Sequence, residues 1–418
     1  MPSPETKGKA LIVGVAAEPA QRWTEAERLE ELAGLVQACG WEVFELMLQI
    51  KAKPDPGFYI GSGKARDIAD IAREYGLGLV VFDAPLSGSQ ARNLETVIGT
   101  QVVDRTEIIM HIFAMHAATP EAKLQVKLAQ LQYQASRLRG MWSHLDRLGG
   151  GISTRGPGEK QLEADRRKVN QEIVRLKAKL AEVQKSKSVQ RAQRKNMFKI
   201  TLVGYTNAGK SSVMNALTQA HQQVDDQPFT TLDPLTRNLS MSGVPVPLLL
   251  TDTVGFIEDL PPDLIASFKA TLDVVRNADL LLHIADASHP KLQRRVNAVD
   301  QVLEELGASA IPTIRVFNKA DLLLSDEAGQ RLLEKHENAV LISARTRAGM
   351  QHLTTAMVDA FRSTMVKFRV KLPHSMGGQA YNKLISRAII TQESVDEEGV
   401  HLSGYAPVSL AGFIEELS

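Results

Sequence analysis

The sequence predicts an α/β protein of several domains, and three observations carry that prediction. A strand-like run at 198–203 leads into the glycine-rich loop Gly204-Tyr-Thr-Asn-Ala-Gly-Lys-Ser-Ser212 and then into a helix-like run. Residues 8–118 alternate apolar strand-like and amphipathic helix-like stretches, the rhythm of a parallel sheet covered by helices. Between these regions the texture changes to seven-residue apolar repeats broken by glycines, which implies paired helices. A chain of 418 residues exceeds one ordinary core. The patterns divide it into an N-terminal α/β domain (1–118), a basic helical hairpin (119–196), a second α/β domain (197–364) and a small α+β domain (365–418).

In the first region strands are expected at 10–16, 42–48, 78–83 and 101–104, with helices at 24–38, 64–75 and 88–98. Gly61-Ser-Gly-Lys64 imitates a phosphate loop, but the preceding glycine, Gly57, leaves five intervening residues before Gly63 instead of four, and Ala65 offers no hydroxyl. It reads as a turn before a helix starting near Lys64. His111 and His116 share an expected helix with Met110 and Phe113, where packing or surface roles suit them better than metal binding. Cys39 is the only cysteine, a small apolar residue near a helix end. It excludes an intramolecular disulfide and suits the cytoplasm. Met1-Pro-Ser-Pro-Glu-Thr-Lys lacks the apolar core of a signal peptide. No apolar run reaches about 18 residues, so at most a transient membrane association is expected.

The hairpin follows from two stripes. Leu124, Leu128, Leu131, Ala135, Leu138, Trp142 and Leu145 line one, and Val169, Ile173, Leu176, Leu180 and Val183 the other. Gly149-Gly-Gly-Ile-Ser-Thr-Arg-Gly-Pro-Gly158 separates them, a composition that no helix tolerates. Two antiparallel helices with a loop at the tip satisfy both facts. Residues 160–195 hold 12 Lys or Arg against 4 Asp or Glu, a net of +8 in a chain whose total is +1. A solvated face is the ordinary explanation for a charged helix. An imbalance this large favours the phosphate backbone of nucleic acid, RNA in particular, and Arg155 at the tip suits entry into a folded RNA.

The loop at 204–212 is the start of a chemical set. Gly204 and Gly209 let successive backbone N–H groups converge, and the following helix adds its dipole. Lys210 reaches the β- and γ-phosphates, and Ser211 offers a hydroxyl to Mg²⁺. Asp252 closes the apolar run 246–252, which tolerates Pro247 because it lies at the start. At the carboxyl end of a parallel strand that carboxylate holds Mg²⁺ through its water shell. In Asp252-Thr-Val-Gly255, the Gly255 N–H meets a γ-phosphate, so its contact vanishes with diphosphate.

Asn318-Lys-Ala-Asp321 follows a strand at 313–317 and selects the base. Asp321 accepts from the guanine N1–H and 2-amino group; adenine leaves that acceptor unpaired, at a cost of about 1–3 kcal/mol. Asn318 braces the loops, Lys319 lies along the base, and Ser343-Ala-Arg345 brings backbone to the guanine carbonyl. Four elements in this order point to GTP and GDP, with Tyr205, Thr206, Asn207, Ala208, Ser212, Thr253, Val254, Ala344 and Arg345 completing the lining. Gln227-Pro-Phe-Thr-Thr-Leu-Asp-Pro234 is a proline-bounded polar loop whose Phe229, Thr230 and Thr231 join the site. Thr231 is the preferred switch ligand to Mg²⁺, bound only while the γ-phosphate is present. Lys210, Thr231 and Gly255 are the expected catalytic groups.

Two departures matter. Phe256 stands where Ras-like enzymes carry a water-orienting glutamine, so intrinsic hydrolysis should be slow until a partner completes the site. Asn207 occupies a position that in some GTPases helps to hold K⁺ beside the phosphates; shaping the loop is the alternative. Residues 365–418 offer a strand (366–372), a helix (379–390) and a hairpin around Asp396-Glu-Glu-Gly399, without assignable chemistry.

As a whole the chain resembles the HflX family of GTPases. Beyond the nucleotide motifs the likeness rests on Phe58-Tyr-Ile-Gly-Ser-Gly-Lys64, Val103-Asp-Arg-Thr-Glu107, Lys123-Leu-Gln-Val126, Gly149-Gly-Gly-Ile152, Arg155-Gly-Pro-Gly-Glu159, Gln161-Leu-Glu163 and Phe229-Thr-Thr-Leu-Asp-Pro234 with Asp252-Thr-Val-Gly-Phe256. Lys160 departs from it, where a threonine is expected. The resemblance implies a Ras-like P-loop GTPase domain beside an N-terminal α/β domain, a helical hairpin and a small C-terminal domain. It also implies a monomer acting on the large ribosomal subunit, through ribosomal RNA and proteins, to split or rescue stalled ribosomes, often under heat stress. The alternative is a GTP-regulated interaction protein or ribosome-assembly factor without significant turnover.

Overall fold

A computed structural model describes residues 8–148, 157–192, 197–218, 234–244, 246–257, 269–373, 378–396 and 398–417. Arg155, most of the glycine-rich tip, and Phe229, Thr230 and Thr231 lie outside them. The chain forms two compact units, one running to Ala181 and the other beginning at Glu182.

The first unit is built on four parallel strands, β1 (Lys9–Ala16), β2 (Glu42–Ile50), β3 (Leu77–Phe82) and β4 (Gln101–Asp104), in the order β2-β1-β3-β4. Leu11, Val13, Val80 and Phe82 are fully buried, as strands covered on both faces require. Helices α1 (Arg22–Ala38), α2 (Ser62–Tyr75), α3 (Gly88–Ile98) and α4 (Arg105–His116) supply the cover. Ser87 and Asp104 each close a capping box, which fixes where α3 and α4 begin. Helix α2 starts at Ser62, two residues before the sequence suggested, because the break falls at Gly61, whose φ of +97° suits glycine. Cys39 caps α1 and is buried, while Met110 and Phe113 are buried and His111 is exposed on α4.

A buried charge network lies at the carboxyl end of β3. Asp83 accepts from Arg28 Nε and Arg105 Nη1, each at 2.9 Å, and Arg105 also pairs with Glu31. Burial works against the Arg105 charge, but Glu31 and Asp83 outweigh it and raise its pKa. The long helices α5 (Pro120–Leu148) and α6 (Pro157–Ala192) follow. Leu128, Leu131 and Leu176 form a small buried cluster with Leu124, Val169 and Ile173, so the expected stripes do meet. Arg166, Arg167, Lys168, Arg175, Lys177 and Lys179 are exposed on α6.

The second unit holds a six-stranded sheet of β5 (Phe198–Gly204), β6 (Leu235–Leu239), β7 (Leu248–Asp252), β8 (Leu280–Asp286), β9 (Thr313–Asn318) and β10 (Ala339–Leu341). The order is β10-β9-β8-β5-β7-β6, all parallel except β6. That edge strand escaped the sequence reading because Leu-Thr-Arg-Asn-Leu has too little apolar alternation to announce itself. Helices α7 (Lys210–Thr218), α8 (Lys269–Arg276), α9 (Leu292–Glu305), α10 (Asp326–Lys335) and α11 (Met350–Thr364) complete this part. Phe198, Leu202, Leu250, Leu282 and Val316 form the centre of its core.

The chain ends in an antiparallel sheet of β11 (Met365–Pro373), β12 (Ile389–Val395) and β13 (Gly399–Pro407), with α12 (Gly378–Arg387) and α13 (Ala411–Glu415). The helix expected to reach 390 stops at Arg387, and Ile389 enters the sheet. Phe368, Val370, Leu384 and Leu402 make a second core, whereas Met365 and Ile389 join the core of the six-stranded sheet. No helix among the described residues is long and apolar enough to cross a membrane.

Replacing Arg105 by alanine should destabilise the first unit by about 3 kcal/mol, because Glu31 and Asp83 lose a buried counter-charge. Urea unfolding of the full chain should show this as an earlier transition.

Candidate guanine-nucleotide site

Five loops meet at the carboxyl edge of the six-stranded sheet, after β5, β7, β8, β9 and β10. That edge is where parallel sheets present ligand-binding backbone. The loop after β5 is closed around Lys210, whose Nζ donates to the Gly204 carbonyl at 3.1 Å and to the Tyr205 carbonyl at 2.9 Å. The side chain is buried, and burial lowers its pKa to about 8 although Asp252 pulls the other way. A phosphate would supply the charge that this ammonium lacks.

Gly209 has a φ of +90°, and a Cβ there would lie 2.2 Å from Asn318 Nδ2. Backbone conformation and close approach therefore both demand glycine. Asn207, at φ +58°, is exposed and left-handed, a conformation that asparagine tolerates better than most residues. Helix α7 opens at Lys210, so its N-terminal dipole faces the loop interior.

Ser211 Oγ donates to Asp252 Oδ2 at 2.6 Å. These hard oxygen donors converge at the end of β7 and fit a magnesium ion that keeps most of its waters. Thr231, the third expected ligand, lies outside the described residues. Thr253 is an anchor: its hydroxyl donates to the Leu202 carbonyl at 2.7 Å, and Val254 beside it is buried. Gly255 sits against the phosphate loop, where a Cβ would lie 2.9 Å from Thr206 Cα and 3.0 Å from Lys210 Nζ. Phe256 is buried and its backbone pairs with that loop: its N–H donates to Gly204 O at 3.0 Å and its carbonyl accepts from Thr206 N at 2.8 Å.

The base end is joined to the phosphate end by one side chain. Asn318 Nδ2 donates to Ala208 O at 3.0 Å, and Asn318 Oδ1 accepts from Ala344 N at 3.0 Å. Asp321 Oδ1 accepts from Ser343 Oγ at 2.6 Å, which orients the carboxylate, and Thr346 N donates to Ser343 Oγ at 3.1 Å. Exposed Arg345 approaches Asp321 Oδ2 at 3.8 Å. Lys319 is left-handed (φ +65°), and its Nζ lies 2.7 Å from Asp286 Oδ2. Ser212 sits on the first turn of α7. The structure thus brings Lys210, Ser211, Asp252, Gly255, Asn318, Asp321 and Ser343 to one edge.

Three family models match the chain: "GTP-binding GTPase N-terminal" over residues 26–114, "GTP-binding GTPase Middle Region" over 116–194 and "50S ribosome-binding GTPase" over 199–319. GTPase HflX of Escherichia coli (strain K12) is 41% identical over 376 residues, covering 89% of this chain and 88% of the relative. The chain belongs to the GTPase HflX family. GTPase HflX of Caldanaerobacter subterraneus subsp. tengcongensis (strain DSM 15242 / JCM 11007 / NBRC 100824 / MB4) is 40% identical, with 94% of this chain and 90% of that one covered. A crystal structure of a GTP-binding protein from the hyperthermophilic archaeon Sulfolobus solfataricus in complex with GDP is 22% identical, with a TM-score of 0.44 and coverage of 85% and 98%.

In this HflX chain two contributors escaped the sequence reading. Asp286 ends β8 and holds Lys319; burial pushes its carboxyl up, but hydrogen bonds from Lys319 and Ser288 outweigh that and keep its pKa low. A carboxylate at the end of an apolar strand, Leu280–Asp286, was the available signal, the same one that marked Asp252. Arg295 is the other. It lies on α9, distant in sequence from every motif, and nothing in its neighbours marks it.

Gly255→Ala should weaken binding of a non-hydrolysable GTP analogue about tenfold while GDP loses less, since the added methyl crowds Thr206 and Lys210 where the third phosphate belongs. Equilibrium titration with fluorescent nucleotides reads the ratio.

Proposed function

We propose that this HflX-family GTPase acts on the large ribosomal subunit and couples GTP binding and hydrolysis to splitting or rescue of stalled ribosomes. The observation that carries the reading is the row of exposed cations on α6 in the same chain as a guanine-nucleotide site. The description "50S ribosome-binding GTPase" of the family model over 199–319 supports the same partner. Ribosomal RNA offers the phosphate backbone that such a row fits, and the glycine-rich tip with Arg155 reaches into folded RNA.

In this mechanism Lys210 and the loop N–H groups hold the β- and γ-phosphates, while Asp321, Lys319 and the Ser343–Arg345 loop hold the base. Mg²⁺, when bound by Ser211, Asp252 and Thr231, neutralises charge between the phosphates. Gly255 N–H and Thr231 read the third phosphate, and its loss releases them. Phe256 offers no hydrogen bond to a water, so the ribosome orders the attacking water or supplies the missing group. The factor works as a monomer in the cytoplasm, without stable membrane attachment. Should hydrolysis be indifferent to the ribosome, buried Phe256 would favour a GTP-regulated adaptor or assembly factor.

Steady-state GTP hydrolysis should be slow alone and rise at least about tenfold with purified large subunits. Neutralising Arg167, Lys168, Arg175 and Lys179 together should leave GDP affinity unchanged. It should flatten the slope of log binding constant against log salt for large subunits by about 3. For Asn207, hydrolysis at equal ionic strength should be faster in K⁺ than in Na⁺, and equal rates would leave this residue a purely loop-shaping role.

A further inference from the structure

We infer that Arg295 is a positioning residue for nucleotide binding: from α9 it holds the Tyr205 ring, and through Tyr205 it holds the phosphate loop against the segment ending at Phe256. The second position of a phosphate loop needs only backbone, yet here it carries a tyrosine that must be housed. Tyr205 is 3% exposed, and the Arg295 guanidinium carbon lies 4.5 Å from the centroid of its ring. That distance is within cation–π range. Among the described residues no carboxylate pairs with Arg295, whereas Arg315 and Arg105 in this chain are each held by acids. A cavity of about 10 Å³ among Tyr205, Ala208, His283, Asp286, Leu292 and Arg295 has room for one water at most, so little free space adjoins the ring there.

The backbone of Tyr205 is where this matters. Its carbonyl accepts from Lys210 Nζ at 2.9 Å, and its strand bridge to Phe256 is flanked by the Gly204–Phe256 and Thr206–Phe256 hydrogen bonds. Fixing the ring therefore fixes the ammonium and the neighbour of Gly255 together. Gly255 lies within a methyl group's reach of Lys210 Nζ, in the region that meets a third phosphate. A loosened Tyr205 should consequently cost triphosphate more than diphosphate.

The inference rests on the nucleotide site and is independent of the ribosome reading. Its test measures affinities of the full-length chain for fluorescent GDP and for a non-hydrolysable GTP analogue. Arg295→Ala should weaken the analogue about three- to tenfold, with a smaller loss for GDP. Arg295→Lys should recover most of the loss, since an ammonium also faces a ring. Tyr205→Leu should weaken the analogue, and adding Arg295→Ala to it should cost nothing further. The thermal unfolding midpoint of Arg295→Ala should stay unchanged. Wild-type affinities for Arg295→Ala, or full additivity in the double variant, would overturn the assignment. So would losses tracking a lowered unfolding midpoint with no recovery by lysine. Failure of the unmodified chain to bind either nucleotide would instead overturn the site itself.

Discussion

The carboxamide of Asn318 sets the geometry on which the rest of the nucleotide site depends. Its donor end holds the loop after β5 and its acceptor end holds the loop after β10, while its own backbone lies at the end of β9. One rigid planar group thus fixes the separation between the phosphate grip and the base grip. Aspartate at that position would lose the donor, and glutamine would displace both contacts by a methylene. The same contact explains Gly209, because any side chain there would occupy the space of the Asn318 amide. Residues 109 positions apart along the chain are therefore constrained as a pair, and each requirement makes sense only beside the other.

Around that brace the site keeps its charges buried and close. Lys210 is enclosed and donates to two backbone carbonyls of the loop, and burial brings its pKa down to about 8. Asp252, also buried, is hydrogen-bonded by Ser211. An environment of this kind disfavours an isolated ammonium and an isolated carboxylate alike. A nucleotide with its metal would complement both. Asp286 shows the same economy at the base end, where a half-buried carboxylate is kept ionised by the lysine it positions.

Much of this was legible from residue order, and what was hidden has a common physical cause. Apolar runs fixed most strands of both sheets to within a residue or two, since buried parallel strands must be continuous hydrophobic segments; β8, though such a run, was passed over because no motif adjoins it. The motif residues were visible because backbone geometry leaves them almost no substitutes: glycine at 209, a short amide at 318. Strand β6 was not visible, because an edge strand beside β7 takes its order from its partner and not from its own pattern. Arg295 and Asp286 were hidden for a related reason. Each acts on a loop residue supplied by another strand, and spacing along one segment carries no trace of such a meeting. The charge network on Asp83 belongs to the same class, joining α1, β3 and α4 through residues that look like ordinary surface charges in sequence.

The two kinds of charge in this chain lead to different physics. Arg105 and Arg28 are turned inward onto Asp83, where the pairing is local, and salt in the solvent has little access to it. The α6 cations are turned outward along a helix whose apolar side is spent on Leu128 and Leu131. Seating Leu176, Val169 and Ile173 in that seam leaves the basic residues on the remaining arc, since side chains three and four apart share a face. The apolar stripe thereby dictates the direction of the charge on a helix that carries 10 Lys or Arg against 5 Asp or Glu, a net of +5. Such an arc attracts a polyanion at long range and through counterion release, which makes association fast and salt-sensitive. Recognition at the nucleotide pocket is the reverse: short-range, desolvated and set by hydrogen-bond geometry. A protein carrying both can be drawn to a large anionic surface by the first and released from it through the second, provided that the Gly255–Phe256 segment, already hydrogen-bonded to the phosphate loop, follows the third phosphate.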